Sequence, residues 1–368
     1  MTKSRPPRIL LAPLDWGLGH ATRCIPIIRY LIEKKYVVTL AAQGATALLL
    51  KSNFPDLKIL PIAGYHVEYS RSGSMLPFKI LMQVPKILAA IKAERLWLEQ
   101  IQKQYQFDLV ISDNRYGLKI EGLPSVILTH QLLIKSGCGS LFDQLLCRIH
   151  FRILEKFDSC WVVDRAGADG IGGELSHPKN IPVNARYIGV LSQLEIPEVE
   201  PKIVEGNILV LLSGPEPQRG ILEQKIVSQI ISTPHYSYIL VGGKPGSAAP
   251  EHLPQGTIYY AHRNASELAS LITSAKLVVC RSGYSTLMDL SHIGKKALLI
   301  PTPGQPEQQY LADYLGKQGL FYYQKQSHLD LKTDIAEALK YPGFTRQSVS
   351  LPYQAMNAAV DEMMERIG

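Results

Sequence analysis

The chain has 368 residues, 46% hydrophobic and 19% charged, a globular composition that excludes a disordered or collagen-like protein. At roughly 100–200 residues per domain the length predicts two domains, each large enough to bury its own core. It carries 39 Lys+Arg against 32 Asp+Glu, a net charge of +7 with histidine neutral. No run of about 18 uncharged apolar residues occurs, so a spanning helix is not expected. The opening MTKSRPPRILLAP has too short an apolar run for a signal peptide. Cys24, Cys138, Cys147, Cys160 and Cys280 are odd in number and lack paired metal spacing, which predicts a reduced cytoplasmic protein. The charge is uneven. Residues 1–195 hold 24 Lys+Arg and 16 Asp+Glu, a surplus of eight, whereas residues 196–368 hold 15 and 16. A basic half attracts anions, whether nucleic acid, a phospholipid surface or a phosphorylated small molecule.

Apolar, β-branched runs predict strands at Arg8–Ala12, Val37–Ala42, Leu57–Ile62, Leu109–Ser112, Ser125–Leu128 and Cys160–Val163. Amphipathic stretches between them predict helices at Ala21–Lys34, Ala45–Ser52, Pro77–Gln104 and Leu141–Lys156. After a Pro/Glu-rich linker, Ser192-Gln-Leu-Glu-Ile-Pro-Glu-Val-Glu-Pro-Lys, the same grammar returns. Its strands fall at Asn207–Leu212, Tyr236–Val241, Thr257–Tyr260, Leu277–Cys280, Ala297–Ile300 and Leu320–Tyr323. Its helices fall at Gln218–Ile231, Ser266–Ser274, Ser285–Ile293, Pro306–Gln318 and Leu329–Leu339. The expected architecture is α/β: two Rossmann-like, doubly wound parallel-sheet domains facing a cleft. They span 1–195 and 206–345, and a C-terminal helix in 351–368 is expected to cross back onto the first domain. Ligands of open α/β sheets sit beyond the carboxyl ends of the strands, so the segments after each strand matter most.

The first strand runs into Pro13-Leu-Asp-Trp-Gly-Leu-Gly-His-Ala-Thr-Arg. Gly17 and Gly19 permit a tight turn and close approach of a ligand to the following helix. His20 stands at that helix N-terminus, where the positive dipole end favours a neutral imidazole able to take a proton from a hydroxyl. The competing reading is a capping histidine packed on Trp16. The dinucleotide fingerprint fails, since Thr22 replaces its third glycine and Gln43 the acid at the next strand end. In the second half, Leu277–Cys280 runs into Arg281-Ser-Gly-Tyr-Ser-Thr-Leu-Met-Asp-Leu. Ser282, Gly283, Tyr284, Ser285 and Thr286 place N–H groups and hydroxyls at a helix start, an anion site suited to a diphosphate. Asp289 lies further into that helix, within reach of a ribose diol. Gln308 and Gln309 begin the next helix, facing the same crevice.

With these motifs in this order, the sequence resembles the GT-B type glycosyltransferases of family 28, in particular the branch that completes the lipid-linked peptidoglycan precursor. The likeness is strongest from Val278-Val-Cys-Arg-Ser-Gly-Tyr-Ser-Thr through Gln308-Gln-Tyr-Leu-Ala, and the GxGH loop matches too. The resemblance implies that Arg281 and Ser282–Thr286 hold a donor diphosphate and Asp289 the ribose. Gln308 and Gln309 would hold the donor sugar and phosphate, with uracil near Asn264 and Ala265. His20 becomes the candidate base, with Asp15 as its substitute. Three departures point to an acceptor other than the peptidoglycan precursor. Asp289 stands where that branch has Glu. Ser213-Gly-Pro-Glu-Pro-Gln-Arg replaces a glycine-rich serine loop, with Arg219 left to meet the diphosphate. His130 replaces a Glu.

On the acceptor side, Leu109–Ser112 ends in Asp113-Asn-Arg-Tyr-Gly. Asp113 is suited to orient a sugar hydroxyl or His20, and Arg115 to meet a phosphate. His130 and Gln131 close the next strand, and Tyr65–Arg71 reads as a loop rimming the cleft. The segment Met75–Lys92 mixes apolar residues with Lys79, Lys86 and Lys92, as a membrane-surface helix or as an ordinary domain helix.

The combined expectation is a UDP-sugar-dependent hexosyltransferase acting on cell-envelope polysaccharide, with inversion at the anomeric carbon. No cofactor and no metal are expected, the nucleotide-sugar being a substrate. The acceptor would be a sugar or a lipid-phosphate-linked group. A cytoplasmic location is expected, with peripheral contact at the inner face of the membrane as the alternative, and nucleic acid is not expected as a partner. The rivals are a UDP-sugar 2-epimerase, a nucleotide-sugar hydrolase of the same fold, and a non-catalytic sugar-nucleotide-binding protein.

Overall fold

Strands of Val, Ile and Leu flanked on both sides by half-apolar helices bury well only as parallel sheets covered on both faces. The chain forms two such sheets. The computed structural model describes residues 5–65, 76–135, 139–167, 170–196, 202–244, 248–250, 252–345 and 353–367. The loop expected after Tyr65, Met75, Cys138, Leu351 and the side chains of residues 76–84 lie outside this description.

The chain divides into two compact units, Met1–Leu191 with Ser350–Gly368, and Ser192–Val349. The first unit contains β1 (Arg8–Pro13), α1 (Leu18–Glu33), β2 (Val37–Ala41), α2 (Gly44–Asn53), β3 (Lys58–Leu60) and α3 (Leu76–Tyr105). It continues with β4 (Leu109–Asp113), β5 (Ser125–Thr129), α4 (Ser140–Leu154), β6 (Ser159–Val162) and β7 (Ala185–Tyr187). The seven strands are parallel in the order β3-β2-β1-β4-β5-β6-β7. The order reverses between β1 and β4, so the segments leaving these two strands diverge and open a crevice at their carboxyl ends. Leu10, Ala12, Ala41 and Val110 pack with Leu98 and Phe107 to make one core layer. Edge strand β7 was not expected. It has three half-buried residues, one of them Arg186, too short and too polar to show a strand pattern.

The second unit contains β8 (Asn207–Leu211), α5 (Gln218–Ile230), β9 (Ser237–Val241), β10 (Thr257–Tyr260), α6 (Ala265–Ser274) and β11 (Leu277–Cys280). Then come α7 (Tyr284–Ile293), β12 (Ala297–Leu299), α8 (Pro306–Lys317), β13 (Tyr322–Tyr323) and α9 (Leu331–Ala338). Its six parallel strands run β10-β9-β8-β11-β12-β13, with the reversal between β8 and β11. Ile208, Val210, Leu240, Val279 and Leu298 fill the core against Leu222, Ile226 and Ile335 from the helices.

The last helix, α10 (Gln354–Ile367), lies on the first unit. It buries Met356, Ala359, Val360 and Met363. Tyr30 Oη on α1 donates to Asp361 Oδ2 at 2.7 Å, and Arg186 of β7 pairs with Glu362. Because α10 is acidic, the units' charges can be compared directly. The first unit carries 25 Lys+Arg and 18 Asp+Glu and the second 14 of each, so the entire +7 belongs to the first unit. Among the described residues no helix is long and apolar enough to cross a membrane.

Candidate active site

The crevice of the first unit holds a buried ionic cluster at the β1/β4 reversal. Asp113, the last residue of β4, is almost fully enclosed, and a lone carboxylate there would be costly to desolvate. Arg23, on the first turns of α1, removes the cost. Its Nε donates to Asp113 Oδ2 at 2.7 Å, and its Nη2 lies against Oδ1. Burial pushes the Asp113 carboxyl up, but Arg23 and His20 outweigh it and hold it well below the usual carboxylate range. His20 Nδ1 lies 2.9 Å from Asp113 Oδ1. A carboxylate neighbour places the proton on Nδ1 and leaves Nε2 as the basic nitrogen. Arg23 Nη2, 3.0 Å from the same Nδ1, is then a contact and not a hydrogen bond. Burial lowers the His20 pKa, with Asp113 opposing and Arg23 assisting, so the imidazole is neutral near pH 7. Arg23 Nη1 donates to His130 Nδ1 at 2.7 Å, which ties the end of β5 into the cluster.

The structure thus brings together His20, Asp113 and His130 through Arg23, a residue absent from the expected site. Its signal is the spacing of three from His20 on one helix face. Gln131 follows His130 and is held by its main chain, its N–H donating to Thr129 Oγ1 at 3.1 Å.

Arg115 corrects the expectation that it meets a phosphate. Asn114 adopts a left-handed φ of 53°, which sends Arg115 into the interior, where it is 0% exposed. Its Nε donates to the Pro13 carbonyl and its Nη1 to the Ala63 carbonyl and Glu94 Oε1, each at 2.9 Å. Its Nη2 lies 3.7 Å from Asp15 Oδ1, so its charge is spent on two carboxylates of the protein. Asp15 also accepts from Gln43 Nε2 at 3.2 Å. Asp15, Gly17 and Leu18 line a cavity of about 370 Å³ with Gln43, Gly44 and Thr46. Gly17 has φ +79° and caps α1, and Gly19 lies in its first turn.

The second unit presents three loops at the carboxyl ends of its strands. Gly283 is the N-cap of α7 and offers no side chain to the first-turn N–H groups of Tyr284, Ser285 and Thr286. Ser282 Oγ donates to the Gln308 carbonyl at 2.7 Å, joining this turn to the start of α8. The Gln308 side chain accepts from the Thr302 N–H at 3.0 Å and donates to Gln305 at 2.6 Å, while Gln309 is exposed. Beneath the turn, Arg281 is 1% exposed and donates only to main-chain oxygens, those of Gln218 (2.8 Å), Ile300 (3.2 Å) and Pro301 (3.4 Å). Burial lowers its pKa to about 10. Asp289, on α7, accepts from Ser192 Oγ at 2.5 Å, and burial raises its pKa to about 7.

Two donor-side expectations need correction. Arg219 is 5% exposed, its Nε and Nη2 engaged by Glu216 at 2.8 Å and Glu223 at 2.9 Å, so it is not a free charge for a diphosphate. It borders a separate groove of about 790 Å³ beside α5, formed with the chain after β9. Asn264 forms a reciprocal capping box with Glu267 at the start of α6, next to Ala265, which commits its side-chain oxygen to the helix. Among the described residues, no group of three His, Cys, Asp or Glu is arranged to hold a metal ion.

Residues 238–363 match the glycosyltransferase family 28 C-terminal domain. Over 336 residues the chain is 25% identical to the UDP-N-acetylglucosamine–N-acetylmuramyl-(pentapeptide) pyrophosphoryl-undecaprenol N-acetylglucosamine transferase of Histophilus somni (strain 129Pt), covering 88% of this chain and 86% of that one. Two solved structures show the same fold. The glycotransferase of kitacinnamycin has a TM-score of 0.64 at 14% identity, covering 99% of this chain and 96% of its own. Acinetobacter baumannii MurG has a TM-score of 0.57 at 16% identity, with coverage of 98% and 100%. The protein is therefore of the GT-B fold, the class in which two Rossmann-like units each carry a sheet of this kind. Within that class its similarity is to family 28 glycosyltransferases, through the C-terminal domain match at residues 238–363 and the 25% identical relative.

Two measurements probe the site. Asp113→Asn leaves the buried Arg23 without its counter-charge and should cost about 3–5 kcal/mol in urea unfolding; a loss below about 1 kcal/mol contradicts the pairing. Asp289 has its folded pKa raised above the unfolded value of about 3.9, so the folded state holds the extra proton and stability falls as pH rises between those values. The Tm of Asp289→Asn minus that of the native protein should therefore grow from pH 5 to pH 7 and level off above pH 8.

Proposed function

We propose that the protein transfers a sugar from a UDP-sugar donor to an acceptor hydroxyl with inversion of the anomeric centre. The observation that carries this reading is the His20–Asp113 pair at the reversal of the first sheet, which leaves Nε2 basic and unprotonated. The acceptor oxygen attacks the anomeric carbon and the bond from that carbon to the diphosphate oxygen breaks, its electron pair leaving with the UDP. His20 Nε2 takes the hydroxyl proton, and Asp113 stabilises the imidazolium that results. A single displacement inverts the anomeric centre. On the donor side, first-turn N–H groups of α7 receive the diphosphate, where the helix dipole favours negative charge. The buried Arg281 adds positive potential beneath them. In this reading the α7 N-terminus and Arg281 serve the charge that builds on the leaving group, without a divalent metal. The similar enzyme's name contains a UDP-sugar, which supports UDP as the first donor to test.

The same reading takes a lipid-phosphate-linked acceptor and a peripheral place at the inner face of the membrane. Its support is the outer face of α4, where Phe142, Leu145 and Ile149 are 41%, 53% and 47% exposed at helical spacing. Arg148 and Arg152 are exposed on the same helix, and the whole surplus charge belongs to this unit. An apolar stripe edged by arginines suits an anionic bilayer surface.

His20→Ala should keep UDP affinity within about threefold while lowering kcat by about 10²–10⁴-fold, read as UDP release from UDP-N-acetylglucosamine with polyprenyl-phosphate-linked and free-sugar acceptors. Equal turnover in the variant removes the base from the mechanism, and rapid UDP release without any acceptor favours the hydrolase. Sedimentation with phosphatidylglycerol vesicles should fall at least fivefold in Leu145→Glu/Ile149→Glu, with phosphatidylcholine vesicles binding neither form. Equal sedimentation of variant and native protein contradicts the α4 surface.

A further inference from the structure

The cavity of about 370 Å³ at the N-termini of α1 and α2 adjoins the loop that leads to His20 and has no part in the chemistry above. Among the described residues lining it only Asp15 is charged, and its side chain is 19% exposed. Asp15 Oδ1 is enclosed, 3.7 Å from Arg115 Nη2, so Oδ2 is the oxygen that a ligand in the cavity reaches. Oδ2 accepts one hydrogen bond, from Gln43 Nε2 at 3.2 Å, and has capacity for a second. The chain after β3 makes room for it, since a Cβ on Gly64 would fall 1.8 Å from Oδ2. The same Gln43 amide keeps its Oε1 as a further acceptor. In this cavity α2 begins without a side-chain cap, which leaves first-turn N–H groups of Gly44, Ala45 and Thr46 as donors. Between the lining residues Asp15 and Gly17, Trp16 is 39% exposed and stands edge-on to Tyr65 at 6.2 Å.

Acceptors and donors around one cavity suit a group that both gives and takes hydrogen bonds, as a hydroxyl does. A phosphate dianion only accepts. It would leave the Asp15 and Gln43 oxygens unmatched and set its charge against the carboxylate. The half-exposed indole adds a flat apolar face of the kind on which the C–H face of a sugar ring packs. We infer that this cavity is a subsite for an uncharged pyranose. Ring hydroxyls donate to Asp15 Oδ2 and Gln43 Oε1 and accept from the first turn of α2, and Trp16 packs on the sugar face. The pyranose is the acceptor sugar, a role that rests on the transferase reading, and the phosphate of a lipid-linked acceptor lies outside the cavity. Asp15 is then a binding residue and not the substitute base.

Saturation-transfer NMR of the full chain tests this without any donor, using the methyl glycosides of glucose, galactose, mannose and N-acetylglucosamine. At least one should bind, and an equal concentration of inorganic phosphate should fail to displace it. Asp15→Asn, which exchanges a charged acceptor for a neutral one, should raise its Kd about tenfold, and Trp16→Ala and Gln43→Ala should each weaken it at least threefold. These last two leave the Arg115–Asp15 pair intact, so they decide the matter if Asp15→Asn does not fold. Binding of no glycoside overturns the inference, as does displacement by phosphate or a Kd unmoved in the folded variants. None of those results touches the transferase reading, which stands or falls on turnover in His20→Ala. Conversely, a glycoside that binds through Asp15 and Trp16 but is never glycosylated from UDP-N-acetylglucosamine keeps the subsite and overturns its role as the acceptor sugar's place.

Discussion

The carboxylate of Asp113 is buried where the first sheet reverses direction, and the Arg23 guanidinium makes that burial tolerable. Three structural facts follow from this pair. It fixes the rotation of α1 against β4, because Arg23 reaches Asp113 from only one face of the helix. It brings His20, three residues earlier on the same face, to within 2.9 Å of the other carboxylate oxygen. It also spreads to β5 through His130, so that the ends of β4 and β5 and the first turns of α1 are pinned around one charge pair. Arg23 is the strongest of the charges that hold the Asp113 carboxyl down against burial, and the ionised Asp113 in turn is the partner that decides the His20 tautomer. The cluster sets the protonation of its histidine by pairing the carboxylate with a stronger cation, so that burial governs the imidazole.

Beside it runs a second network with a mechanical task. Asn114 turns the backbone between Asp113 and Arg115, so neighbouring charged residues point to different sides of the strand end. Arg115 then ties the end of β1 to α3 through Glu94, which also accepts from Tyr65 Oη at 2.7 Å and from the Gly117 N–H at 3.0 Å. Glu94 receives three donors, which offsets its burial, while Arg115 Nη2 keeps only the 3.7 Å ion pair with Asp15 Oδ1. The result is a rigid floor for Asp15 and the loop that leads into α1.

Much of the architecture is legible in the sequence because strand and helix periods differ so plainly. Runs such as Leu109–Ser112 have no polar alternation, which is the mark of a strand buried on both faces. Only β7 escaped, being short and carrying Arg186 at an edge. The loops holding the site were equally visible, since Gly17 and Gly283 stand where strands give way to helices. What the sequence does not reveal is the partner of each charge. Arg115 and Arg219 look like ligand-binding residues by type and position, yet each faces two carboxylates, from α3 and the β1 loop in one case and from α5 and its leading turn in the other. Arg23 was overlooked for the converse reason. Its acid lies 90 residues away on β4, and only the sheet order places the two together.

Asp113 and Asp289 show how little a residue's type decides about its chemistry. Both are aspartates near the carboxyl edge of a parallel sheet, and burial pushes both upward. One meets a guanidinium and is held well below the ordinary range; the other meets a serine hydroxyl and rises to about 7. A neutral donor gives back less than desolvation takes away, whereas a full opposite charge gives back more. The difference also decides what each can exchange. Pulling Arg23 from Asp113 would strand two charges, so that pair is permanent. The Ser192 hydroxyl is neutral, so its bond to Asp289 can break without stranding an opposite charge.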